Sequence, residues 1–179
     1  VSDDAKEKMK NRKTPIASFY ANLMAFDGYY EKKWFPYTMP ISDIYGLRAA
    51  FNLIAGDKTL YERHARIGSA TRAAVKEAGL KLHLQSGYSN TVTVFDIPEC
   101  TDAKSILDEM RTKYNIMLAG SFDELSGKVI RIGHMGENAR LEHMVPALEA
   151  LSATLTDLGV TLQGNLADLF LKHYREFQD

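Results

Sequence analysis

The sequence predicts a mixed α/β chain whose second half is an α+β domain, a small sheet with helices packed on one face. Three observations carry that expectation. Past residue 80 the apolar patterns run strand, helix, strand, strand, helix, helix, an order that folds most simply with helices covering one side of a sheet. A long amphipathic segment of about 20 residues, or 30 Å, precedes it and suits a connector between two lobes. With 45% hydrophobic content, 179 residues can bury a sizeable core in one domain or slightly more.

Each element has its own local reason. Ser2 to Lys13 is highly charged and amphipathic, a helix candidate followed by Thr14-Pro15 and a short aromatic strand candidate at Ser18 to Tyr20. Its lysines, Lys6, Lys8, Lys10 and Lys13, read as a solvated face rather than a binding surface. From Asp27 to Pro40 the chain is loop-like, because Pro36 and Pro40 discourage helix, and its many rings need something to bury against. Ser42 is the expected N-cap of a core-facing helix carrying Ile44, Leu47, Phe51 and Ile54 and ending at Gly56.

Asp57 or Thr59 can cap the long helix, with Leu60, Ile67, Ala70, Ala74 and Val75 inward and Gly79 just past its last turn. Thr91 to Ile97 alternates threonine and valine before Pro98, as a half-buried strand does, and Thr101 is placed to cap a helix with Ile106, Leu107, Met110 and Tyr114 inward. Two more strands are expected, near Ile116 to Ala119 and Val129 to His134, joined through a turn at Ser126-Gly127. Leu141, Val145, Leu148, Leu151 and Leu155 mark a helix that stops at Gly159, and Leu166, Leu169, Phe170, His173 and Phe177 a terminal one.

Composition narrows the function classes. A net charge of -1, with basic residues forming no stripe, gives no electrostatic support to a nucleic-acid partner and points to small molecules or proteins. The single cysteine, Cys100, can form no internal disulfide and has no companion at metal-ligand spacing, so a reducing compartment is expected. No apolar run approaches the roughly 20 residues that span a bilayer, and the polar start V-S-D-D-A-K-E-K is unlike a signal peptide, so a cytoplasmic location without membrane is expected. The chain opens on Val1 rather than methionine, as expected of either a processed product or an excised piece of a longer protein.

The segment from Gly127 to Asn138, G-K-V-I-R-I-G-H-M-G-E-N, sets one arginine, Arg131, inside an apolar strand ending in glycines. A guanidinium held on a strand is a fixed fork suited to gripping a carboxylate at two points. On the strand alone, a cation at a sheet edge is the commoner explanation. Likewise a loop threonine such as Thr38, before Met39-Pro40, is by itself an ordinary turn residue. His64, between Arg63 and Arg66 on a helix, reads as a packing or interface residue, and His134 as a structural hydrogen-bonding one beside Gly133 and Gly136. Cys100 shows no nearby base and makes a poor nucleophile.

Four blocks in order resemble the class V pyridoxal-phosphate aminotransferases: W-F-P-Y-T-M-P-I-S-D-I-Y-G-L-R-A-A-F from Trp34 to Phe51, E-R-H-A-R-I-G-S-A-T-R-A-A-V-K-E-A-G-L from Glu62 to Leu80, S-N-T-V-T-V-F-D-I-P from Ser89 to Pro98, and R-I-G-H-M-G from Arg131 to Gly136. The W-F-P-Y-T and R-I-G-H-M-G variants are most similar to the serine–glyoxylate and alanine–glyoxylate branch. The resemblance implies a C-terminal half of such an enzyme. Residues 1–56 would close the large cofactor-binding domain and carry an inter-subunit loop, 57–80 would form a connecting helix, and 81–179 a small, mainly antiparallel domain able to fold by itself.

The same resemblance assigns roles. Arg131 would bind the carboxylates of a small amino acid and a small 2-oxo acid, serine or alanine and glyoxylate or pyruvate. Thr38 would donate to the phosphate of pyridoxal 5'-phosphate held mainly by the large domain of the other subunit of a homodimer. Phe35 stands where relatives carry a second, phosphate-donating tyrosine, and Tyr37 is the candidate to replace it. The family places its Schiff-base lysine just upstream of the part matching Val1, and none of the 13 lysines has that context, so no catalytic residue is expected in this chain and no activity from it alone. Two alternatives differ: a lyase or desulfurase, which would need a mobile catalytic cysteine, and a non-catalytic ligand-binding or regulatory module, which would not need the Y-T-M-P segment.

Overall fold

In a computed structural model that describes residues 1–177, every buried side chain among those described lies after Asp57. The chain divides into two units, Val1–Gly56 and the part from Asp57 onward. The last two residues of the expected 81–179 domain fall outside the described residues.

In the first unit, helix α1 (Asp3–Lys10) starts where the Ser2 hydroxyl accepts from the Ala5 N–H, with Asp3 and Asp4 at its positive end and Lys8 and Lys10 at its negative end. Lys6 and Lys10 both reach Asp27, so two of the four lysines read as a solvated face tie the helix to the turn at Gly28. The strand expected at Ser18 to Tyr20 does not form. Ser18 instead accepts from the Ala21 N–H, a side-chain turn that competes with extended pairing. A 3-10 turn (Leu23–Phe26) follows, and the loop rings pack edge-on against one another, Phe26 against Phe35 at 5.4 Å and against Tyr37 at 5.5 Å.

Helix α2 (Ile41–Gly56) corrects two expectations. It begins before Ser42, because the Pro40 carbonyl already accepts from the Ile44 N–H, leaving Ser42 within the first turn. It also buries no residue: Leu47 is 70% and Phe51 66% exposed, and Ile44 and Ile54 are exposed too. Its spacing is that of a core-facing helix, but nothing in its own unit covers it.

The second unit opens with α3 (Leu60–Glu77), preceded by Asp57, whose carboxylate accepts from the Thr59 N–H and hydroxyl and from Arg63. Thr59 itself makes no side-chain cap. Ile67, Ala70, Ala74 and Val75 are buried as their spacing requires, and Gly79, at φ +87°, supplies the left-handed residue that closes the helix. Strand β1 (Val92–Asp96) leads to α4 (Ala103–Tyr114), capped by Asp102 rather than Thr101. Asp102 holds an extended backbone, and its carboxylate takes both the N–H and the hydroxyl of Ser105, leaving the Thr101 hydroxyl enclosed without a partner.

Strand β2 (Val129–Gly133) pairs antiparallel with β1, with Val94 opposite Arg131 and Phe95 opposite Ile130. The expected strand at Ile116 to Ala119 is reduced to one bridge, Ala119 to Arg131. The Ile116 N–H is spent on the Met110 carbonyl at the end of α4, and the Gly120 carbonyl on the Arg131 side chain, so Ala119 alone is left to pair. Alternation turns Thr93, Phe95, Ile130 and Ile132 toward the core and Val94 and Arg131 to the other face. Helices α5 (Leu141–Asp157) and α6 (Leu166–Glu176) complete the core with Met144, Leu148, Leu151, Leu155, Leu166 and Phe170. Burying each large side chain contributes about 1.5–3 kcal/mol. Glu77 links α3 to α6 by accepting from Lys172 and His173.

Candidate functional site

Arg131 is the one cation on the strand of this small sheet, and three groups from the Ala119–Phe122 segment surround it. Ala119 exchanges both backbone hydrogen bonds with it, at 2.7 and 3.3 Å. The next carbonyl, Gly120, accepts from its Nε. The Phe122 ring lies with its centroid 5.4 Å from the guanidinium carbon. Half-buried, Arg131 makes no ion pair among the described residues, and its two terminal nitrogens have no protein partner there. The arrangement is a positioned, unneutralised fork on the face of the sheet away from the helices, able to take a carboxylate in two parallel bonds.

The glycine-rich turn after Arg131 is fixed by two histidines. His134 is fully buried. Its Nδ1 meets the Asn90 carbonyl at 3.1 Å, which can only accept, so Nδ1 carries the proton and Nε2 accepts from the Thr93 hydroxyl at 2.9 Å. Burial pushes its pKa down to about 4, which makes it a neutral structural group, as its place beside Gly133 and Gly136 suggests. His64 works in the same sense from α3: Nδ1 donates to the Leu60 carbonyl at 2.6 Å, and Nε2 accepts from the Gly136 N–H at 3.0 Å. That contact ties the turn to α3, 72 residues earlier, and neither histidine faces Arg131's free nitrogens through any hydrogen bond.

The other two expected site residues lie in the first unit. Thr38 is exposed, and its hydroxyl makes no hydrogen bond among the described residues. Tyr37 is engaged: its hydroxyl donates to the Phe19 carbonyl at 2.5 Å, while its ring packs against Phe19, Tyr20 and Phe26 at 5.1 to 5.5 Å. An open hollow of about 520 Å³ borders it, lined in part by Ile16, Phe19, Trp34 and Pro36. In the second unit a cavity of about 300 Å³ is lined in part by Ile116, Leu118, Ile132 and Met144, together with the polar Glu142 and His143. Arg131 does not line it. The charge and the free donors, rather than a cavity, mark the candidate site.

Sequence reasoning placed Arg131 on its strand but missed Gly120 and Phe122, which hold it. Nothing periodic marks them; the available signal was the turn pattern Gly120-Ser121-Phe122-Asp123, in which Asp123 takes a left-handed φ of +49°. Among the described residues no group of three or more histidine, cysteine, aspartate or glutamate side chains is placed to hold a metal ion, and no helix is long and apolar enough to cross a membrane.

Comparison with known proteins bears on the fold and the family of the chain. No protein-family model matches the chain. It is 36% identical over 165 residues to the serine–glyoxylate aminotransferase of Methylorubrum extorquens, a match covering 87% of this chain and 40% of that protein. The crystal structure of pyridoxamine–pyruvate aminotransferase from Mesorhizobium loti superposes with a TM-score of 0.83 at 31% identity, covering 98% of this chain and 46% of that one. Ureidoglycine–glyoxylate aminotransferase from Bacillus subtilis superposes with a TM-score of 0.84 at 30% identity, covering 96% and 46%. The chain thus spans less than half the length of these relatives. Its mix of helices with a small antiparallel two-stranded sheet matches the C-terminal domain of aminotransferase structures.

Proposed function

We propose, from its standing among the class V pyridoxal-phosphate aminotransferases, that this chain supplies the C-terminal part of an enzyme moving an amino group from a small amino acid to a small 2-oxo acid. Serine or alanine is the donor class and glyoxylate or pyruvate the acceptor class; serine, glyoxylate and pyruvate stand in the names of the relatives above, and alanine in that of a further similar structure, alanine–glyoxylate aminotransferase from Nostoc. The observation that carries the reading is Arg131, held by Gly120 and Phe122 with its terminal nitrogens free of any protein carboxylate among the described residues.

In this reading Arg131 binds the one group that donor and acceptor share. Both substrates carry a carboxylate beside the reacting carbon, so one fixed guanidinium orients each in turn and holds that carbon at a constant place. Pyridoxal phosphate, when bound, supplies the electron sink that labilises the bonds at the amine-bearing carbon. The residues present here fit its phosphate end unequally. Thr38 offers an exposed, unengaged hydroxyl, whereas Tyr37 can donate only by releasing the Phe19 carbonyl. Thr38 is therefore the primary phosphate donor from this chain, completing the site of the other subunit in a homodimer, and Tyr37 the secondary one. Phe35 cannot donate at all. The proton-transferring lysine and the ring-binding groups come from the N-terminal large domain, so no catalytic residue is assigned here and the isolated chain is inactive.

The test is an amino-transfer assay on the complete protein and on the 179-residue chain, with alanine and serine against glyoxylate and pyruvate. Turnover by the complete protein with a small donor and none by the chain alone is expected. Transfer catalysed by the chain alone, or a complete protein inert with all four pairs, contradicts the reading.

A further inference from the structure

We infer that Phe122 is a positioning residue for carboxylate recognition: it holds the Arg131 guanidinium by its ring face and leaves the terminal nitrogen edge as the substrate's approach. The inference rests on the reading of Arg131 as the carboxylate-binding group.

Arginine has two edges that can grip a carboxylate in two places, and on a free side chain both are available. Here one is closed. Nε donates to the Gly120 carbonyl, which removes the edge it shares with one terminal nitrogen and leaves the edge between the two terminal nitrogens. The Phe122 ring, 5.4 Å from the guanidinium carbon, lies within the roughly 6 Å over which a ring attracts a cation.

The position of that ring is built into the backbone rather than left to a mobile loop tip. Ala119 is bonded to Arg131 in both directions, so the segment starts in register with the strand it serves. Phe122 itself is extended and opens a 3-10 turn (Asp123–Leu125), its carbonyl accepting from the Leu125 N–H at 3.1 Å. Asp123 holds a left-handed φ of +49°, uncommon for a residue with a side chain, which reverses the chain directly after the ring. Phe122 is 74% exposed and contributes nothing to the buried core, so core packing does not explain its placement. The contact with Arg131 does.

Substituting Phe122 with alanine, leucine and tyrosine in the complete aminotransferase, with Arg131→Ala alongside, separates the possibilities. Phe122→Ala and Phe122→Leu should raise KM for both amino donor and oxo acid about twofold to fivefold with kcat changed by less than about twofold, the size of a semi-exposed cation–ring contact. Phe122→Tyr, which keeps the ring face, should restore the parent values. In the isotopically labelled 179-residue chain the Arg131 Nε–H resonance should be unchanged in Phe122→Tyr and should shift in Phe122→Leu. A Phe122→Leu protein matching the parent in KM and resonance overturns the inference, since apolar bulk rather than the ring face then suffices. If Phe122→Ala behaves as parent while Arg131→Ala loses substrate affinity, this inference alone fails. If Arg131→Ala also behaves as parent, the reading of Arg131 fails with it. Should the alanine variant not fold, the leucine and tyrosine pair decides.

Discussion

His134 shows how a single residue can carry pH dependence for the whole second unit. Its ring is buried, donates to the Asn90 carbonyl and accepts from Thr93, and its pKa lies near 4, well below the ordinary 6.5. Between those values the unfolded chain binds a proton that the folded chain does not, so stability is fully present above about pH 6.5 and is lost as pH falls toward 4. The total is on the order of 3 kcal/mol. Thermal unfolding across pH 8 to 4 should show the Tm falling through that window, and His134→Asn should flatten that part of the curve while lowering the Tm at neutral pH; a parent curve level between pH 6.5 and 4 contradicts this. A second residue-level expectation is Gly79→Ala. Gly79 sits at φ +87°, where an added Cβ meets only the movable end of Gln163, so the cost is mainly conformational, about 1 kcal/mol by denaturant titration. Arg131 was legible from its apolar strand and the R-I-G-H-M-G pattern. Its partners were not, because a carbonyl acceptor and an exposed ring leave no trace in hydrophobic spacing.

Elements were readable where burial on one face fixed their period. The spacings of α3, α5 and α6 predicted Ile67, Ala74, Leu148, Leu155 and Phe170 as inward, and all are fully buried. The readings failed where local polar chemistry competed with the pattern: Asp102 displaced Thr101 as a cap, Ser18 turned an expected strand, and hydrogen bonds already spent at Ile116 and Gly120 cut a strand to one bridge. Helix α2 differs again, since its apolar residues are spaced for burial yet remain exposed. An uncovered apolar helix of this kind should drive self-association of the isolated chain. Replacing Leu47 and Phe51 with glutamate should shift sedimentation toward the monomer without lowering the Tm, because neither side chain is buried. Unchanged sedimentation, or a marked loss of stability, contradicts that account.

For the molecule as a whole, the structure places the long helix differently from a bare connector. Residues 60–77 contribute Ile67, Ala70, Ala74 and Val75 to the same core as α5 and α6, and Glu77 binds Lys172 and His173. We therefore propose that the folding unit of the C-terminal part starts at Asp57 rather than residue 81. A chain from Asp57 should unfold cooperatively, and one from Lys81, left with an uncovered core, should not. Cooperative unfolding of the shorter chain contradicts this boundary. In the proposed function Arg131 holds the carboxylates common to donor and acceptor. Steady-state kinetics of Arg131→Ala in the complete protein measures this most directly: losing a charge-assisted bond of roughly 1.5–3 kcal/mol should raise both KM values by about tenfold or more with cofactor affinity unchanged. Parental KM values for both substrates would contradict it.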